Sequence, residues 1–134
     1  MVVRRDALLW LESARDDVED AKRMFDAGRY FRAAFLAQQA AEKALKALFF
    51  TVRREEPPRL HTVTELYAML KEHGFTLPKG LEEQLSMLNK YYTITRYPDA
   101  ANGLPRESVD RIEAERAMSI AMGVLEHAGR GIEG

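Results

Sequence analysis

Apolar residues recur at threes and fours through most of the chain, the period of an amphipathic helix rather than a strand. Between about Arg5 and Ala27, Leu8, Leu11, Val18, Ala21 and Phe25 fall on one stripe, and Glu12, Asp16, Asp20 and Arg23 take the opposite face. Gly28 supplies the left-handed residue that commonly stops a helix. A second helix spans about Arg29 to Val52. Its middle, Ala33 to Leu45, is apolar around nearly the whole circumference, which predicts a central helix with neighbours on several sides. Pro57 and Pro58 cannot continue it. Thr62 and Glu65 form a capping box that opens a short third helix with Leu66, Met69 and Leu70 on its apolar side, ended by Gly74. Pro78 opens a fourth, striped by Leu81, Leu85 and Leu88 and reaching about Tyr92. Thr93 to Glu107 holds Pro98, Gly103 and Pro105 and reads as a loop, long enough to be functional. The last helix starts at Ser108 as N-cap and runs to about Ala128, with Val109, Ile112, Ala117, Ile120, Ala121, Val124 and Leu125 inward. Gly129, Gly131 and Gly134 predict a frayed tail. Four long helices and one short one, mostly with short connections, predict an all-α, antiparallel up-and-down bundle forming one domain over residues 1–134.

Charge and composition narrow the function classes. Lys plus Arg number 20 and Asp plus Glu 21, so the net charge of −1 gives no global pull on nucleic acid or anionic membranes, though a local basic patch is allowed. There is no cysteine, which excludes disulfides, thiolate nucleophiles and Cys-ligated metal sites. No apolar run reaches the ~18 residues of a membrane span, and Met1 to Asp6 is not followed by the apolar core of a signal peptide. The expectation is a cytoplasmic protein. Asp16, Asp17, Glu19 and Asp20 read as a solvated face, since hard-ion cages need ligands from several directions.

The densest chemistry lies in Tyr91-Tyr92-Thr93-Ile94-Thr95-Arg96-Tyr97-Pro98-Asp99. Arginine is shaped for bidentate phosphate contact, and tyrosine rings offer faces on which a base stacks. Arg96 is the candidate phosphate ligand, Tyr97 and Tyr92 the stacking or wall residues, and Asp99 the group that orients Arg96. Lys43 and Lys46 are candidates for a cationic rim. A structural reading stands beside this one: Tyr91 and Tyr92 end a helix against the core, Arg96 pairs with Asp99, and Gln39, Lys43, Glu42 and Lys46 are exposed neighbours at i,i+4. His61, His73 and His127 have no metal-motif spacing, so no metal and no cofactor is expected. His61 precedes the capping box and His73 sits at a helix C-terminus; both positions suit structural roles.

The stretch from Ala34 through Leu48, with FLAQQAAEKALKAL in its core, then His61-x-x-x-x-Leu66, Leu88-x-x-Tyr91, Thr95-Arg96-Tyr97-Pro98-Asp99 and an Ala-rich last helix resemble the HEPN family, the higher-eukaryote and prokaryote nucleotide-binding domain. The resemblance covers about Asp6 to Ala128 and points to a divergent, small prokaryotic member. It implies a helical bundle that pairs as a homodimer, often encoded beside a minimal nucleotidyltransferase as a toxin–antitoxin pair. Active members are implied to be metal-independent endoribonucleases with an Arg-x4–6-His motif. The arginine there holds phosphate and the histidine exchanges protons with the RNA 2′-hydroxyl. Arg96 matches the arginine. Ala101, Asn102 and Gly103 stand where the histidine belongs, and the next histidine after Arg96 is His127. The expected function is therefore a dimeric module that binds a nucleotide or a nucleotidyltransferase partner without catalysis. The alternative is an RNA endonuclease with a non-standard site, using His61 brought close in space.

Overall fold

In the computed structural model, residues 2–96 and 103–134 are described. Helix α1 (Val2–Asp26) turns through Gly28, at φ +76°, into α2 (Tyr30–Leu48). Only a short turn separates these long helices, so they pack antiparallel, and α6 (Arg111–Glu133) lies against both. Between α2 and α6 come α3 (Val63–Lys71), α4 (Lys79–Gln84) and α5 (Asn89–Arg96). The chain is all-helical over the described residues, as the 3.6-residue period predicts.

Helix α2 is the axle. It contacts α1, α3, α5 and α6, and Ala33, Ala34, Ala37, Ala40, Ala41, Ala44 and Ala47 along it are all buried. Alanine lets neighbouring helices approach closely while favouring helix itself. At its end the chain widens into a π-helical turn, Phe49–Arg53, which buries the consecutive rings of Phe49 and Phe50 and closes on Arg54 in the left-handed region at φ 55°.

The second half departs from the sequence expectation in instructive places. The helical run from Pro78 does not end at Tyr92 but continues to Arg96, so Thr93 and Ile94 are helical and Ile94 is buried. Inside that run Leu85–Leu88 is a 3₁₀ turn. Its three-residue period eclipses Leu85 and Leu88, and both are buried. Thr62 stands at the N-cap of α3 without a side-chain cap bond; its carbonyl accepts from Glu65 N and Leu66 N, and burial of Val63 fixes the start. Ser108 is not the N-cap of the last helix. A 3₁₀ turn, Pro105–Glu107, intervenes; Ser108 Oγ donates to Pro105 O, and Asp110 caps α6 by accepting from Glu113 N at 2.8 Å. That shift leaves Ile112 65% exposed rather than inward. The glycine-rich end is not frayed: α6 runs to Glu133, Gly129 is buried, and a Cβ on Gly131 would stand 3.1 Å from Leu48 Cδ2. Glycine is what allows α6 to approach the end of α2 there.

Candidate functional site

The inner side of α2 carries three buried polar residues in an otherwise apolar helix: Gln38, Glu42 and Lys46. Burial of an unpaired charge is costly, and this group is satisfied internally. Lys46 Nζ donates to Glu42 Oε2 at 2.9 Å. Gln38 Nε2 donates to Glu42 Oε1 at 3.2 Å and to the His61 carbonyl at 3.1 Å. His61 Nδ1 meets Glu42 Oε2 at 3.1 Å. The Glu42 carboxylate thus gathers a lysine, an amide and an imidazole.

His61 belongs to the segment between the two prolines and α3, and Gln38 holds its backbone against α2. Its side chain is 43% exposed, whereas Glu42 is 7% exposed. The ring stacks on Tyr92 of α5, with centroids 4.5 Å apart and planes 13° from parallel. Asn89 Nδ2 donates to Thr64 Oγ1 at 3.1 Å, which ties the start of α5 to the start of α3 and holds the stack in register. Asn89, Tyr92 and Arg96 follow one another at threes and fours, so their positions fall on one face of α5. A carboxylate on Nδ1 sets the imidazole's orientation and leaves Nε2 as the nitrogen that an external ligand meets.

The sequence-predicted residues separate into groups. Tyr92 is in the stack with His61. Arg96 is the last residue of α5, one turn beyond Tyr92. Tyr97 and Asp99 lie outside the described residues. Lys43 is turned to α1, with Nζ 2.9 Å from Asp17 Oδ2 and donating to Ser13 Oγ at 3.0 Å. Burial raises the Asp17 carboxyl above its ordinary range despite that lysine. Lys46 lies inside the Glu42 network rather than on an open rim. Tyr91 is core: it is buried, and its hydroxyl donates to Glu113 Oε1 at 2.7 Å. Desolvation, then that carboxylate, push its phenol well above the usual range. His73 Nδ1 meets Met69 O at the end of α3, the structural role its position predicts.

Sequence reasoning missed Glu42 as the organising group. Its signal was present: Glu42 and Lys46 are an i,i+4 pair on a helix whose apolar residues leave no open face to display them. Among the described residues no three His, Cys, Asp or Glu side chains converge as a metal site, and no helix is long and apolar enough to cross a membrane. A larger cleft, about 570 Å³, lies between α1 and α6 beside Arg15 and Glu133, and its lining includes none of the predicted residues.

An alanine-rich central helix, a polar knot upon it and α5 ending at Arg96 define a helical-bundle domain with a buried polar cluster on one flank. The HEPN domain model matches residues 7–131, and the chain belongs to that family. Solved structures agree. TT1696 from Thermus thermophilus is 38% identical, with a TM-score of 0.83 over 93% of this chain and 97% of its own. ST0689, an archaeal HEPN homologue, is 30% identical, with a TM-score of 0.76 over 95% of this chain and 98% of its own. A HEPN domain protein from Thermotoga maritima, TM0613, is 31% identical, with a TM-score of 0.69 over 90% of this chain and 94% of its own. No curated protein matches the chain.

Proposed function

We propose that this chain is a single-domain, homodimeric HEPN module of the cytoplasm that binds a phosphate-bearing nucleotide ligand at the end of α5. Its partner is a minimal nucleotidyltransferase, with which it forms a toxin–antitoxin pair. The observation that carries the ligand reading is the His61–Tyr92 stack one helical turn from Arg96. The stack offers an aromatic edge and an oriented imidazole, and the arginine supplies the fork that phosphate needs. The family match supports the partner reading. A thermal-shift panel of nucleotides on wild type and Arg96→Ala tests the ligand. At about 100 times its dissociation constant a ligand adds about 2.7 kcal/mol, a midpoint shift on the order of 5 to 15 °C. A shift confined to wild type supports the site. No shift with any nucleotide moves the function to the protein partner, which co-purification with a co-expressed nucleotidyltransferase then tests.

The Glu42–His61 pair favours a second reading, metal-independent RNA cleavage. An imidazole oriented by a buried carboxylate is a general base in form. His61 Nε2 would take the 2′-hydroxyl proton, the 2′-oxygen would bond to the adjacent phosphorus, and the P–O5′ bond would break with water protonating the leaving oxygen. Incubation of RNA with chelator-treated protein decides it. Cleavage that His61→Ala lowers at least ~100-fold supports the reading, and intact RNA ends it.

A further inference from the structure

Lys46 has a second environment besides Glu42. Its ammonium lies 5.9 Å from the centroid of the Trp10 ring, and both residues line a cleft of about 280 Å³ between α1, the end of α2 and the segment that follows it. Phe50 is the second ring in the lining, and Pro57 and Pro58 bound the cleft from the connecting segment. The two exposed charges at this cleft are Glu56 and Arg59. Small-ligand sites have this make-up, an apolar and aromatic concavity with a few placed polar groups.

We propose that this cleft is a second ligand site, distinct from the end of α5, and that it takes a purine nucleoside monophosphate. The base stacks on Trp10, because an indole offers the largest flat face in the protein and base–aromatic stacking tolerates any planar ring. The phosphate goes to Arg59, whose guanidinium is in no ion pair among the described residues, unlike Arg53, which is held by Glu55 at 2.6 Å. Lys46 adds direction rather than net charge, since Glu42 already neutralises it at 2.9 Å. Glu56 is an acceptor for the exocyclic amine or the ribose hydroxyls. The volume of about 280 Å³ suits one mononucleotide. The prolines restrict the backbone of the wall, so little ordering is needed on binding.

Trp10 is the protein's single tryptophan and lines this cleft, so its fluorescence is a probe placed at the proposed site. The experiment titrates adenosine 5′-monophosphate, adenosine and inorganic phosphate separately into wild type, Arg59→Ala and Arg96→Ala. The monophosphate is expected to quench Trp10 saturably, adenosine to do so about tenfold more weakly, and phosphate alone to leave the emission unchanged. Arg59→Ala, at an exposed position, is expected to bring the monophosphate down to the affinity of adenosine, while Arg96→Ala matches wild type. Unchanged emission at millimolar monophosphate overturns the proposal, as does quenching that Arg59→Ala leaves intact. Quenching lost only in Arg96→Ala assigns the ligand to the α5 site and overturns the second site. Failure at Trp10 together with an Arg96-dependent thermal shift overturns this proposal alone and leaves the α5 reading standing.

Discussion

Glu42 carries more of this molecule's organisation than any other polar residue. It accepts from Lys46 and Gln38 and holds His61, while itself almost wholly buried. Its removal strands an ammonium in the core. Glu42→Ala is expected to destabilise the fold by about 3 to 5 kcal/mol in chemical denaturation. Glu42→Gln combined with Lys46→Met keeps an amide oxygen as acceptor for Gln38, turns an amide N–H toward His61 Nδ1, which accepts it in the Nε2–H tautomer, and removes both charges; its stability is expected to stay within about 1 kcal/mol of wild type. If the single variant is as stable as the double, the pair is not buried as described. The sequence shows these residues but not their depth. Periodicity separates polar from apolar faces, and on a helix apolar all round it leaves Gln38, Glu42 and Lys46 with no solvent side to be assigned to. Tyr91 and Tyr92 illustrate the same limit. Two adjacent tyrosines take different faces of α5, one in the core and one against His61, and only the packing of α5 on α2 says which.

Among the elements, the approach of α6 to its neighbours is set by two glycines with opposite expectations. Replacing a helical glycine by alanine gains up to about 1 kcal/mol of propensity. At Gly123 the new methyl would lie 3.1 Å from Leu81 Cδ2, on a short, half-buried helix that can yield. Gly123→Ala is expected to raise stability by about 0.5 kcal/mol. At Gly131 the methyl would lie 3.1 Å from Leu48, which is fully buried and cannot yield. Gly131→Ala is expected to lower stability by about 1 kcal/mol, read as a change in denaturation midpoint at constant slope. The same helix end is tied to α1 by Arg15 Nη2 and Glu133 Oε1 at 2.7 Å. The hydrogen bond from Arg15 holds the Glu133 carboxyl below its ordinary value of 4.5, and one from Lys71 does the same for Glu82. A carboxyl depressed in the folded state binds its proton more weakly than in the unfolded chain. Its stabilisation is present above the unfolded value and is lost as pH falls through the folded one. Asp17, raised by burial, has the opposite sign: its ionisation costs stability as pH rises through the raised value. Glu133→Gln is therefore expected to flatten the loss of thermal stability on acidification, and an unchanged acid limb would show the bridge to be inert. Of the elements themselves, α1, α2 and α3 follow directly from stripes and breakers, whereas the extension of α5 past Tyr92 does not. Thr93, Ile94 and Thr95 favour strand in isolation, and burial of Ile94 against the bundle overrides that preference.

At the scale of the whole molecule, the main packing unit is α1, α2 and α6, and the His61–Glu42–Tyr92 cluster lies on the flank where the shorter helices α3 and α5 meet α2. That arrangement explains why the site was only partly legible. Arg96 and Tyr92 stand close in sequence and announce themselves as a cluster, whereas His61 and Glu42 come from separate segments that only the packing of the His61 segment on α2 brings together. Ligand binding at that flank has a direct test. The protein has three histidines, His61, His73 and His127, and their assigned ring resonances report on different places in the fold. Titration of a nucleotide or short RNA is expected to move the His61 signals saturably in wild type, to leave His73 and His127 in place, and to lose the His61 response in Arg96→Ala. Saturable binding that Arg96→Ala abolishes but that leaves the His61 ring untouched would contradict the assignment of the ligand to the end of α5.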